Sequence, residues 1–311
     1  QADESSATAR VGANLATFAQ MARRMALPYL AVRRPEWDKF PGAFYSVALD
    51  IPLGEARTLQ IGSIHHYREN FSVPYGIRYE TPDGSSRPVQ QTTFGLSERL
   101  LGAVVAVHGD GRGVVFPREL APYEVIVVPI PGKSGPDPIP WARELAGRLR
   151  SHGLRAHLDE RADRPGAKYY HWESRGAPLR LEVGGREATA GTALAVDRLG
   201  GRAPVGPESI EAAVEERLAR FTESLVARAE AAFRDAFATA GRLEDLKGSA
   251  RVRLFGWCGA EACGHEIEQA IDGSLLGTLL GAPPGVAASP PGCLVCGASS
   301  GAVWAAAGRP V

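Results

Sequence analysis

One stretch constrains this chain more than any other. It runs Gln91-Thr92-Thr93-Phe94-Gly95-Leu96-Ser97-Glu98-Arg99, followed by an apolar run and then His108-Gly109-Asp110-Gly111-Arg112-Gly113. A short β-rich segment meets Gly95, and a helix carrying Leu96, Leu100, Leu101, Val104 and Val105 is predicted to begin there. Glycine lets backbone approach a flat ligand closely, because no Cβ stands in the way. Arg99 falls in the first turn of that helix, where a planar guanidinium can stack on a purine and reach phosphate oxygens. The plainer alternative is a strand–glycine–helix junction with a solvated arginine, and so short a motif does not decide between them.

Upstream, residues Ala7 to Leu30 read as one helix with Val11, Leu15, Phe18, Met21 and Met25 as its buried stripe, ended by Pro28. A loop from Arg33 to Ser46 then enters a strand that reaches Asp50. The adjacent His65 and His66 invite a metal reading, but neighbouring side chains point apart on strand or helix. Ile77-Arg78-Tyr79-Glu80, before the turn Pro82-Asp83-Gly84, reads as a solvated strand edge. Downstream, Tyr123–Ile130 is a β-branched run of the kind found in buried parallel strands. A Pro- and Gly-rich loop follows it. Next come a helix with Trp141, Leu145 and Leu149 stopped by Gly153, a strand with Leu154, Ala156 and Leu158, a short helix with Tyr169 and Trp172, and a strand with Leu179, Leu181 and Val183. This alternation predicts an α/β domain with a mostly parallel sheet. Pro207 to Thr239 reads as one long helix with Ile210, Val214, Leu218, Phe221, Leu225, Ala229, Phe233 and Phe237 along its buried stripe.

At 311 residues and 44% apolar content the chain has material for two or three cores. Formal net charge is zero, so any contact with nucleic acid needs a local patch. Arg143 to Arg186 supplies one, with ten basic against six acidic residues. Only Lys39, Lys133, Lys168 and Lys247 are lysines, which makes Lys168 conspicuous. No run approaches a membrane span and no basic-then-apolar leader is seen, so no membrane partner is expected. The first residue is Gln1 rather than Met, the mark of a fragment or processed product. Cys258-x4-Cys263 and Cys293-x2-Cys296 form two close pairs about thirty residues apart, the spacing of a tetrahedral thiolate zinc site. His265 is a competing ligand, less favoured while four thiolates are available.

With its neighbours the opening stretch resembles the third signature motif of class II aminoacyl-tRNA synthetases, and more narrowly the prolyl-tRNA synthetase family of the archaeal and eukaryotic type. The match is carried by QTTFGLSER and, from Val107 to Ile130, by VHGDGRGVVFPRELAPYEVIVVPI. It continues through Phe40 and its Pro-Gly-Ala, through Leu59–Phe71, through Asp159–Gly184, and through Trp257-Cys258-Gly259. Phe44, Ile64 and the Asp50-Ile51 pair depart from the family pattern, as does the C-terminal Val311.

The resemblance implies a multidomain α/β and α+β chain. Residues 1–117 would be the C-terminal part of a class II antiparallel-sheet catalytic domain, 118–205 an α/β anticodon-binding domain, and 206–311 a long helix with a small zinc-binding domain. It implies ligation of proline to tRNA(Pro) using ATP and Mg²⁺, with Arg99 catalytic. Gln60, Ser63, Ser97 and Arg99 would meet ATP, while Phe40, His65, Phe94 and Gly95 would meet L-proline. Arg164, Lys168 and Glu173 would meet the anticodon, and Cys258, Cys263, Cys293 and Cys296 would hold structural Zn²⁺. A cytoplasmic homodimer is implied for the full-length form. The family's first and second motifs lie outside the chain, so the chain alone is expected to be inactive. The rival readings are a non-catalytic tRNA-binding module and a paralogue that activates another amino acid.

Overall fold

The computed structural model describes residues 1–132, 135–281 and 286–311. Part of the Pro- and Gly-rich loop expected after Ile130 therefore lies outside the described residues. The chain divides into two compact units: one of Gln1–Arg23, Pro28–Ala103 and Glu230–Val311, the other of Arg24–Leu27 and Val104–Ala229. These units do not end at the expected boundaries, 117 and 205. The strands of the C-terminal segment hydrogen-bond into the same sheet as those of the N-terminal segment, so they share one body.

In the first unit, helix Glu4–Arg24 buries Ala7, Val11, Phe18 and Ala22. The helix stops before Pro28, with Ala26 already in the left-handed region at φ 52°. Phe18 is fully buried, which stabilises the fold by about 2–3 kcal/mol relative to exposure. The sheet has eight strands, ordered Phe237–Thr239, Val252–Trp257, Val303–Pro310, Ser274–Leu279, Leu30–Arg33, Tyr45–Gly54, Arg57–Arg68 and Gln91–Leu96. Strand Val303–Pro310 also pairs in parallel with the start of Arg57–Arg68, through Arg309 opposite Arg57 and Pro310 opposite Thr58. Five of the strands therefore close into a ring. Its remaining contacts are antiparallel. Beside this sheet, Phe255, Trp257, Ile267, Ile271 and Leu275 form a core with two of the cysteines. Arg78–Glu80 pairs with Ser86–Pro88 as a mostly exposed hairpin, as expected of a solvated edge.

The second unit is built on a five-stranded sheet ordered Arg202–Val205, Ala193–Asp197, Leu179–Val183, Val125–Pro129 and Ala156–Leu158. Val125–Pro129 is wholly buried between two parallel neighbours. The other two pairings are antiparallel, so the sheet is mixed rather than mostly parallel. The turn at Leu199-Gly200-Gly201, with Gly200 at φ 101°, lets the chain double back as a hairpin. Helix Ile139–Ser151 lays Ala142, Leu145, Ala146 and Leu149 on the sheet. The long helix runs Ile210–Asp235, and its first half adds Ile210, Val214 and Leu218 to that core. It ends before Phe237, which instead begins a strand paired with Val252–Trp257. In the His108–Gly113 stretch, the Asp110 carboxylate receives Arg198 Nη1 at 2.9 Å and Nη2 at 2.7 Å. This stretch therefore fastens the second unit internally. No helix among the described residues is long and apolar enough to cross a membrane.

Candidate functional site

In the first unit the register of three strands gathers four of the predicted site residues, Gln60, Ser63, His65 and Gly95. Ser46 lies opposite His65, Ala48 opposite Ser63, and Asp50 opposite Gln60. Gln60 and Ser63 are three residues apart, so strict alternation would put them on opposite faces. A bulge intervenes: Leu49 pairs with Gly62 and the next residue, Asp50, pairs with Gln60, leaving Ile61 as the extra residue. Gln60, Ser63 and His65 thereby share one face with Ser46 and Asp50. On the neighbouring strand Gly95 pairs with Ser63 and Thr93 with His65, which adds both to that face.

Phe94 does not join them. It pairs with the fully buried Ile64 and packs edge-on against Phe18, ring centroids 6.4 Å apart. The two-residue period of a strand sends it to the opposite side from His65. The register thus sets Phe94 apart from the other residues expected in the proline pocket. Ser97 is exposed, and Arg99 is the exposed first residue of helix Arg99–His108, which starts four residues later than Gly95 predicts.

The Phe40 and His65 rings lie 4.9 Å apart between centroids, tilted by 43°, with Tyr67 at 5.9 Å from each. The loop that presents Phe40 turns on Pro41-Gly42, with Ala43 N–H donating to Phe40 O at 2.9 Å. Gly42 has φ +86°, and a Cβ there would lie 2.7 Å from the Phe71 ring, so only glycine fits. Phe40 N–H donates to Ser46 Oγ at 2.9 Å, and Ser46 Oγ is 2.8 Å from His65 Nδ1. The arrangement that leaves no orphan proton has the hydroxyl donating to Nδ1 and Nε2 carrying the ring proton. Burial lowers the His65 pKa, which keeps the imidazole neutral at neutral pH. Tyr67 Oη is 3.1 Å from Thr93 Oγ1. Phe40, Tyr67, Phe71, Gln91 and Thr93 line a cleft of about 510 Å³. An aromatic wall with a few fixed donors suits a small zwitterion or a ring.

Sequence reasoning missed what lies behind Gln60. Arg34 Nη2 donates to Gln60 Oε1 at 2.8 Å and to Asp50 Oδ1 at 3.2 Å, while Nη1 donates to Leu276 O at 3.1 Å. The Arg34 side chain is 8% exposed. Asp50 is buried, and burial pushes its carboxyl up to about 6 despite Arg34. The signal available in the sequence was Asp50 itself, an acid within an apolar strand.

In the second unit Asp159 follows strand Ala156–Leu158 and is buried. Its carboxylate receives Arg161 Nε and Nη2 at 2.9 and 2.6 Å and Trp172 Nε1 at 2.8 Å. Its carbonyl receives Lys168 Nζ at 3.0 Å. Lys168 is 3% exposed. The expected base-reading lysine is therefore enclosed, because helix Pro165–Glu173 turns that position inward. Arg164 is exposed at the N-terminal end of the helix. Glu173 is half-buried and accepts Arg180 Nη1 at 2.8 Å, with Arg112 Nη1 3.5 Å away. Arg161 and Arg175 both approach His171 Nδ1, at 3.2 and 3.1 Å. Burial and these two cations lower the His171 pKa. Tyr170, on the same helix, is 67% exposed. Exposed arginines with an exposed aromatic are the means by which unpaired RNA bases are held.

The four cysteines converge as their spacing predicts. The Sγ atoms of Cys258, Cys263, Cys293 and Cys296 all lie within 4.8 Å of one another, and Cys258 to Cys296 is 3.9 Å. A tetrahedral thiolate site with metal–sulfur bonds of about 2.3 Å has edges of about 3.8 Å. The four residues can therefore bind a metal. Burial pushes Cys263 up to about 12. Burial acts on Cys293 too, but the backbone N–H groups of Cys296, Val295 and Cys258 outweigh it and bring that thiol down to about 7. Hydrogen bonds of that kind support a thiolate. His265 is exposed and engaged with Glu268 and Glu261 rather than with the thiols.

Residues 124–217 match the family model described as an anticodon binding domain. The chain is 44% identical over 292 residues to the proline–tRNA ligase of Thermococcus kodakarensis, covering 91% of this chain and 60% of that protein. It is 40% identical over 305 residues to the proline–tRNA ligase of Pyrococcus abyssi, covering 95% of this chain and 63% of that protein. The crystal structure of prolyl-tRNA synthetase from Cryptosporidium parvum complexed with L-proline and AMP superposes with a TM-score of 0.89 at 24% identity. It covers 99% of this chain and 66% of that one. The chain thus spans about three fifths of the length of the curated relatives it matches.

Proposed function

Because the chain is homologous over nearly its whole length to proline–tRNA ligases, we propose that it forms part of a proline–tRNA ligase. In that reaction ATP and L-proline give prolyl-adenylate and diphosphate, and the prolyl group then passes to tRNA(Pro). The observation that supports the assignment most is the single face holding Gln60, Ser63, His65 and Gly95, which the Ile61 bulge makes possible.

On that face the Phe40 and His65 rings bound the proline pocket, with the His65 Nε2 proton directed to a carboxylate or carbonyl oxygen. Gln60 and Ser63 bind the nucleotide, and the open Gly95 backbone lets a flat base lie close. Arg99 and Ser97, exposed beside that strand's end, meet the nucleotide from the helix start, and Arg99 is the catalytic cation. Positioning and neutralisation of phosphate charge supply most of the catalysis in such a site. Mg²⁺ accompanies ATP as the metal of the substrate. Arg164 and Glu173 contact the anticodon, and Lys168 holds the Asp159 loop from inside. Cys258, Cys263, Cys293 and Cys296 bind one structural Zn²⁺, which leaves no open position for water. The ligase works as a cytoplasmic homodimer.

Binding of tRNA(Pro) to this chain tests the assignment. Tight binding of tRNA(Pro) over other tRNAs is expected, with Arg164→Ala and Glu173→Ala each losing about 1–3 kcal/mol of that discrimination. Equal binding of all tRNAs by the parent chain would refute it. The chain alone is expected to show no proline-dependent exchange of diphosphate into ATP, and measurable exchange would overturn that part. Metal analysis should find about one zinc per chain, a stoichiometry that follows from four-thiolate coordination. A folded but zinc-free cysteine segment would rule out the metal assignment.

A further inference from the structure

A guanidinium only donates hydrogen bonds, whereas a glutamine amide has one accepting and one donating end. Arg34 Nη2 lies 2.8 Å from the Gln60 side chain. Only Oε1 can occupy that position, because a flipped amide would set N–H against N–H in a buried setting. Arg34 cannot easily move aside to permit the flip. Its Nη1 is held by Leu276 O on strand Ser274–Leu279, its Nη2 also by Asp50, and its backbone N–H by Ser46 O at 2.9 Å. Asp38 approaches Nε at 3.6 Å. Gln60 therefore has its oxygen held toward Arg34 and its Nε2 donors left for whatever occupies the face.

We propose that Arg34 is a positioning residue that locks the Gln60 amide, so that this position recognises a hydrogen-bond acceptor on the nucleotide, such as a ribose or phosphate oxygen. The proposal rests on reading this face as a nucleotide site. It also explains why an arginine stands at position 34. A lysine ammonium is a point donor and does not bridge Gln60, Asp50 and the Leu276 carbonyl in one plane.

The test uses AMP as probe in calorimetric titrations of the whole chain, with thermal melting of each variant as a check on folding. Gln60→Glu keeps an acceptor for Arg34 but has no N–H to offer, so AMP binding should weaken at least tenfold with the melting temperature little changed. Arg34→Met removes the lock, and Arg34→Met/Asp50→Asn does so without stranding a buried carboxylate. At least tenfold weaker binding is expected from the folded double variant. AMP binding by Gln60→Glu equal to that of the parent overturns the proposal. Failure of the parent chain to bind AMP would instead count against the nucleotide reading of the face. The amide polarity is then decided by neutron diffraction from the free chain, which locates the amide hydrogens directly. Hydrogens on the Gln60 atom facing Arg34 overturn the lock, and their absence there upholds it.

Discussion

Two buried aspartates, one in each unit, respond to burial in opposite ways. Asp50 and Asp159 are each 1% exposed and each lies beside an arginine. Burial pushes Asp50 up to about 6, and Arg34 recovers only part of the loss. Burial acts on Asp159 as well, yet its carboxyl is held well below the usual range by hydrogen bonds from Arg161, Trp172 and the Arg161 backbone. Asp50 lies deeper in the protein and near Asp38, which raise its pKa, and the two also differ in their donors. Asp159 has a two-pronged guanidinium, an indole and a peptide N–H. Asp50 has one nitrogen that it shares with Gln60, and its Oδ2 lies 3.1 Å from that nitrogen without hydrogen-bond alignment. A nearby opposite charge is thus not enough to hold a buried acid's pKa at its ordinary value; hydrogen bonds that saturate its lone pairs do so. The poorly served aspartate stands where an arginine also holds a site residue.

The largest effect expected from this contrast is at Asp159. Asp159→Ala leaves the Trp172 indole and the Arg161 side chain without their acceptor, and the second unit should lose about 3 kcal/mol of stability. Hydrogen exchange across strands Ala156–Leu158 and Leu179–Val183 would register it. A loss under about 0.5 kcal/mol, the range of an ordinary surface substitution, would break the comparison at its stronger end.

The pH responses should have opposite signs. A carboxyl whose folded pKa is raised binds its proton more tightly when folded, so its contribution to stability falls as pH rises. For Asp50 that fall lies between about 4 and 6, and should amount to about 2 kcal/mol between pH 4.5 and 7. Asp159 is depressed, so its contribution is full at neutral pH and begins to be lost below about 4, as the unfolded chain takes up protons. Denaturant titrations of the parent chain against Asp50→Asn and Asp159→Asn, from about pH 7 down to about 2.5, separate the two. Parallel slopes for both pairs would show that the donor count does not govern the pKa.

The sequence made one side of this legible. The Cys258–Cys263 and Cys293–Cys296 spacings foretold a cluster that forms as expected, because short loops leave thiols little freedom. The apolar periods located most of the helices and the central buried strand. What it hid came from long-range pairing. Nothing local to Phe237 says that it leaves its helix for a strand beside Val252, and nothing local to Ile61 says that it bulges. Motif resemblance fixes the position of Phe94 along the chain but not its face of the sheet. Lys168 was drawn outward by its rarity, whereas the acceptor that encloses it is the carbonyl of Asp159, nine residues earlier.

The smallest effect sharpens the comparison by removing charge from it. Ser46 lies within the same face as Asp50 but makes only neutral hydrogen bonds, from the Phe40 N–H and with His65 Nδ1. Ser46→Ala leaves the Phe40 N–H without an acceptor and should cost about 1 kcal/mol. The more telling readout is the ring. Burial alone lowers the His65 pKa, and a hydroxyl donating to Nδ1 favours the neutral ring further, because the imidazolium has no lone pair there. Loss of that hydroxyl should therefore move the His65 pKa upward, toward the ordinary imidazole value, in an NMR titration. A downward movement would mean that Ser46 accepts from the ring, so that Nε2 carries no proton in the neutral state. In that case His65 would present an acceptor to the pocket, and the ligand group beside it would have to donate.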